Sequence, residues 1–154
     1  MKRIALTLIA VAAFMAAHAF DRPRMAAALT YNYASSYDQH GFGLRLQVPV
    51  GNHFRIEPEF IYFTQRKEVA TLNLNCNLHY VMPMTSQVNI YPYLGFSYSH
   101  WGYPGPNANR IGVNIGAGVE YNINARWGVL GEMRGQLMKK ESQFVGILGV
   151  KYSF

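Results

Sequence analysis

Thr71-Leu72-Asn73-Leu74-Asn75-Cys76-Asn77-Leu78-His79-Tyr80 alternates polar with apolar side chains from end to end. Successive side chains of a strand point to opposite faces, so this period of two predicts a strand with one polar and one apolar face; a helix would scatter the leucines around its axis. Thr71, Asn73, Asn75, Asn77 and His79 share one face, and Leu72, Leu74, Cys76, Leu78 and Tyr80 share the other.

The same period recurs on both sides of this segment. Upstream, Met25, Ala27, Leu29, Tyr31 and Tyr33 oppose Thr30 and Asn32; Phe42, Leu44, Leu46 and Val48 oppose Gly43, Arg45 and Gln47; Phe54, Ile56, Phe60 and Tyr62 oppose Arg55, Glu57 and Glu59. Downstream, Ile90, Leu94, Phe96 and Tyr98 oppose Tyr91, Tyr93, Gly95, Ser97 and Ser99. Ile111, Val113, Ile115, Ala117, Val119 and Tyr121 oppose Gly112, Asn114, Gly116, Gly118 and Glu120. Trp127, Val129, Met133 and Leu137 face away from Glu132, Arg134 and Gln136, and Phe144, Leu148, Val150, Tyr152 and Phe154 face away from Val145, Ile147, Gly149, Lys151 and Ser153. Turn-like connections at 49–53, 83–87 and 122–126 alternate with loops at 35–40, 64–68, 102–110 and 139–142. About eight strands joined by hairpins predict an all-β protein, and closure into an up-and-down antiparallel barrel would remove the two open edges.

The first 19 residues read as a cleaved signal peptide: Lys2 and Arg3 precede an apolar run from Ile4 to Ala17 that ends in Ala17-His18-Ala19. The expected domains are therefore 1–19 and a barrel over 20–154. Loss of Lys2 and Arg3 leaves 12 basic against 8 acidic residues and lowers the net charge from +6 to +4. Export and the lack of a basic stripe with interleaved aromatics argue against a nucleic-acid partner. Cys76 is the single cysteine and cannot form an internal disulfide, so it reads as a small apolar residue.

The charges choose between a soluble barrel and a membrane one. Placing the polar face inward collects Arg45, Arg55, Arg134 and Lys151 with Glu57, Glu59, Glu120 and Glu132, a balanced set that tolerates burial when paired. The apolar face then carries no charge along the strands, as hydrocarbon requires and water does not. Tyr31, Tyr33, Tyr62, Tyr98 and Trp101 fall near the loop-side ends, and Phe54, Tyr80, Tyr121 and Trp127 near the turn-side ends, predicting two interfacial girdles. The fold expected is a closed transmembrane β-barrel of eight strands. Pro58 and Pro92 lie inside it, where each removes a ladder donor, so register irregularity is expected at both.

Over essentially its whole mature length the chain resembles the small outer-membrane barrels of the OmpX and OmpA transmembrane-domain type. The resemblance rests most on the last residues, where Gly149, Tyr152 and Phe154 match polar-x-Gly-x-x-aromatic-x-Phe; Ile147 departs from the polar first position. The Gly116-to-Tyr121 run and the Arg–Glu pairing are also similar. This resemblance implies an outer-membrane location reached through the Sec pathway, and an assembly signal read by the barrel-insertion machinery. It also implies a structural, envelope-integrity or adhesion role.

A narrow porin-like channel is the alternative, and a lipid A-modifying enzyme a further one, since Ser97, Ser99 and His100 lie near the loop end. Adjacent strand residues point to opposite faces, however, so Ser99 and His100 cannot share a proton as nucleophile and base. No catalysis, cofactor or metal is expected, and a monomer is. Arg66, Lys67, Arg110, Lys139 and Lys140 are expected at the outer rim, facing lipopolysaccharide phosphates.

Overall fold

A computed structural model describes residues 24–36, 38–66, 69–102, 108–139 and 141–154; at 65–66, 69–70, 101–102, 108 and 141 it describes backbone alone. The expected signal peptide, Lys67 and Lys140 lie outside these residues. The elements are β1 (Ala26–Ala34), β2 (Gln39–Val50), β3 (Phe54–Arg66), β4 (Val69–Tyr80), β5 (Met82–Pro83), β6 (Val88–Gly102), β7 (Ala108–Asn122), β8 (Trp127–Met138) and β9 (Glu141–Ser153). Every pairing is antiparallel between neighbours, β1 pairs β9, and β4 pairs β6. These contacts close the sheet on itself. β4 and β5 share one place in the ring, because Leu78↔Leu94 and Met82↔Ile90 belong to one register on β6. The result is a closed barrel of eight strands.

The prolines act differently from the expectation. No register shift occurs at either. Between Arg45↔Glu59 and Val48↔Ile56 the β2–β3 ladder skips the position opposite Pro58, and the β4–β6 ladder ends at His79↔Tyr93, just short of Pro92. A proline lacks only the donor on one side, while the other ladder, at Pro58↔Cys76 and Pro92↔Ala117, holds the spacing. The register shift that does occur lies between Phe63 and Arg66 on the β3–β4 ladder, at the loop end. The alternation holds across the Pro58 gap: Val48 stays opposite Ile56, and Gln47 and Pro49 on either side of it line the inner cavity.

Tight turns have local causes. Gly51 has a φ of 79°, a region that costs a residue with a Cβ but not glycine. Thr85 Oγ1 accepts the amides of Gln87 and Val88, and Asn124 Oδ1 accepts those of Arg126 and Trp127, which fold each chain reversal from its own side chain. These turns and both described chain ends lie at one mouth of the barrel.

Parity then sorts the walls. Leu29, Phe42, Leu44, Phe96, Ile111, Met133, Phe144 and Leu148 stand on the outside, Ile111 at 75% exposed and Met133 at 74%. Inside, Glu57 is 0% exposed and Arg45 1%. An outer wall this apolar is stable in hydrocarbon and aggregates in water.

Candidate functional site

Four carboxylates and four cations are buried among the described residues, all on inward positions of the strands: Glu57, Glu59, Glu120 and Glu132 with Arg45, Arg55, Arg134 and Lys151. Arg45 on β2 is the hub. Its guanidinium donates to Glu57 at 2.9 Å, to Glu132 at 2.6 Å and to Glu59. Glu59 is its cross-strand neighbour, whereas Glu132 reaches it from β8 on the far side of β1 and β9. Arg134 on β8 meets Glu59 on β3 at 2.7 Å, a contact between strands four places apart in a ring of eight. That pair therefore spans the lumen. Charge-assisted contacts of this density offset the large cost of removing ions from water, which isolated ions could not bear.

Tyr91 and Tyr93 on β6 complete the network. Tyr91 donates to Glu132 at 2.8 Å, Tyr93 donates to the same carboxylate at 3.3 Å, and Arg134 Nε donates to the Tyr93 hydroxyl at 3.3 Å. The rings lie over Gly118 and Gly116, where an added Cβ would come within 2.6 Å of Tyr91 or Tyr93 atoms; the two glycines give the tyrosines their seats. Arg55 sits over the Tyr91 ring with its central carbon 4.6 Å from the centroid. His79 stacks against both tyrosines, at 4.9 and 4.7 Å. Its Nδ1 accepts from Arg55 Nη2 at 3.0 Å; arginine only donates, so the imidazole proton sits on Nε2, which faces Glu57 at 3.4 Å. His79 thus belongs with Glu57.

A smaller group lies nearer the turn end. Glu120 takes Arg55 at 2.9 Å and Lys151 at 2.9 Å, and accepts from Asn89 at 2.8 Å. Towards the loop end, amides replace charges: Asn114 donates to Asn75 at 3.1 Å and Asn77 at 3.0 Å, and Gln143 donates to Gln136 at 2.6 Å. Asn114 crosses from β7 to β4 over Gly95, where any Cβ would strike the Asn77 side chain. An apolar cluster of Ala28, Ala34, Ile61, Phe63, Leu130, Val145 and Ile147 also faces the lumen. Parity marks the tyrosines, His79 and the amides as inward; only their roles escaped sequence reasoning.

On the outer wall, Tyr31, Tyr33, Tyr62 and Tyr98 near the loops and Phe54, Tyr80, Tyr121 and Trp127 near the turns are all exposed. Tyr31 is hydrogen-bonded to His40, and Tyr33 donates to Asp38 at 2.9 Å. Trp101 pairs through its backbone with Thr71 and Ala108; its side chain lies outside the described set. Of the basic rim, Lys139 is exposed, whereas Arg110 is half-buried on β7 as the ladder partner of Ser99, not on a loop. Arg66 is described in its backbone alone. Gly149 packs against Thr30 at the β1–β9 seam, and Tyr152 rests edge-on against Trp127 at 5.0 Å and near Phe154 at 6.1 Å. Ser99 donates to Met138 Sδ at 3.4 Å inside the lumen, while His100 shares a 2.6 Å hydrogen bond with Asn109. The two do not meet.

The family model for the outer membrane protein beta-barrel domain matches residues 4–154. The chain belongs to that family. It is an integral outer-membrane β-barrel. No curated protein matches it by sequence. Among solved structures, the N-terminal β-barrel domain of Pseudomonas aeruginosa OprF is similar, with a TM-score of 0.74 at 12% identity over 84% of this chain and 96% of that one. Yersinia pestis Ail in a phospholipid nanodisc follows, with a TM-score of 0.61 at 12% identity over 86% and 100%. The outer membrane enzyme PagL shares the fold more loosely, with a TM-score of 0.52 at 10% identity over 82% and 97%. At these identities the likeness is one of fold.

Proposed function

We propose that this outer-membrane barrel is a sealed structural element whose loop end makes adhesive or lipopolysaccharide contacts, and that it neither conducts solutes nor catalyses a reaction. The observation that carries the proposal is the lumen-spanning Arg134–Glu59 pair, joined to Arg45 and Glu132, which fills the middle of an eight-stranded barrel already narrow enough for its side chains to occupy. Planar-bilayer recording of the purified protein tests it. A silent membrane is expected, and reproducible conductance steps overturn it.

Adhesion draws support from Ail, named for attachment and invasion and also solved with the heparin analogue sucrose octasulfate. Lys139, with Lys140 next to it in sequence and Arg66 and Lys67 in another loop-side segment, would supply the cations for phosphate or sulfate groups. The separation of Ser99 from His100 supports the non-catalytic reading; a lipid A mass shift on expression overturns it. Sec export through residues 1–19, a monomeric state, and recognition of Gly149, Tyr152 and Phe154 by the assembly machinery complete the proposal.

A further inference from the structure

The turn-side mouth holds a cavity of about 450 Å³ that the sealed-barrel reading does not use. Its volume falls within the roughly 300 to 1,000 Å³ of small-molecule sites. All three tight turns contribute to its wall, and Arg24, Arg55, Glu120 and Lys151 line it. Charge is unevenly shared along the lumen. The deeper network sets Arg45 and Arg134 against Glu57, Glu59 and Glu132, while the cavity floor sets Arg55 and Lys151 against Glu120 alone. Among the described residues the floor holds one more cation than carboxylate, and Arg24 adds a second cation to the cavity wall.

Lys151 commits one ammonium donor to Glu120, out of the three such a group has. The amide side chains of Asn89 and Asn122 add polar wall. The cavity lies within the ring of turns and not on the lipid-facing wall, away from the acyl chains of the bilayer. In barrels of this class the short turns face the periplasm.

We propose that the turn-side vestibule binds a small soluble periplasmic solute through a phosphomonoester group. A phosphomonoester carries about −1.5 to −2 charges near neutral pH, which suits a wall where cations outnumber carboxylates. It also brings three acceptor oxygens for the donors of Lys151, Arg24 and the wall amides. The site is independent of whether the loop end adheres.

Titration of the folded, isotope-labelled full-length protein in detergent with glucose 6-phosphate tests this, with glucose and with sodium chloride at matched ionic strength as references. Backbone shifts confined to Asn52, His53, Asn89 and Asn122 are expected, and Arg24→Gln should weaken binding about tenfold, the loss of one charge-assisted contact. Arg24 lies outside the buried network, so this variant should keep the heat-modifiable mobility of the folded barrel. Lys151→Gln provides a second reading at the floor. A response to glucose 6-phosphate no larger than that to chloride, shifts at the loop end instead, or unchanged affinity in Arg24→Gln overturns the site. A stronger response to dihexanoyl phosphatidic acid than to glucose 6-phosphate would place the ligand among lipids and overturn its soluble source.

Discussion

On β2, β3 and β8 the inward positions carry Arg45, Glu57, Glu59, Glu132 and Arg134, while on β1 and β9 the same parity carries Ala28, Ala34, Val145 and Ile147. Both regions are sealed from water, and by different physics. The apolar cluster is non-directional: its stability follows the area removed from water, and a missing methylene costs a fraction of the whole. The charged region is directional. Each ion there has lost its hydration, and removing one partner strands the others. The lumen is thus tolerant on one side and exacting on the other.

Arg45→Met should break that contrast most visibly, because it leaves Glu57, Glu59 and Glu132 without their shared cation. A loss of about 3–5 kcal/mol is expected, read from urea titration of unboiled gel mobility in detergent. A loss below about 1 kcal/mol would mean that water, not protein, solvates the network. Gly118→Ala is next, since its Cβ would come within 2.6 Å of the Tyr91 ring and drive Tyr91 off Glu132. It should cost about 1–3 kcal/mol in the same assay, and Tyr91→Phe in that background should change little further. In the apolar cluster, to which β3 contributes Ile61, Ile61→Val should cost only about 0.5–1.5 kcal/mol, and an equal or larger effect than Arg45→Met would invert the comparison. Raising sodium chloride from about 0.1 to about 1 M should shift the unfolding midpoint least of all, since buried pairs escape the ionic atmosphere that screens exposed ones. A marked drop would place the pairs in open water.

Legibility followed range. Assignment of charged residues to the interior needed only the alternation within each strand, because a side chain and its neighbours two residues away share a face whatever the rest of the molecule does. Tyr91, Tyr93 and His79 were equally visible as inward residues, but their stacking depends on how far β4, β6 and β7 slide past each other. The pairing of His79 with Glu57 has that origin. The prolines misled for a related reason: a single missing donor looks disruptive within one strand, and proves mild once a second ladder holds the register.

What the amino-acid order determined alone was the strand count, the hairpin connections, and which groups face hydrocarbon and which face each other, since a period of two is a local property of the extended backbone. Partner choice was decided only on closure. Arg45 and Glu132 stand 87 residues apart, and their contact exists because strand stagger around a ring brings β2 and β8 to one level across β1 and β9. The same closure separates the deeper, negative cluster from the positive floor at the turn-side mouth, a distribution that no single strand encodes.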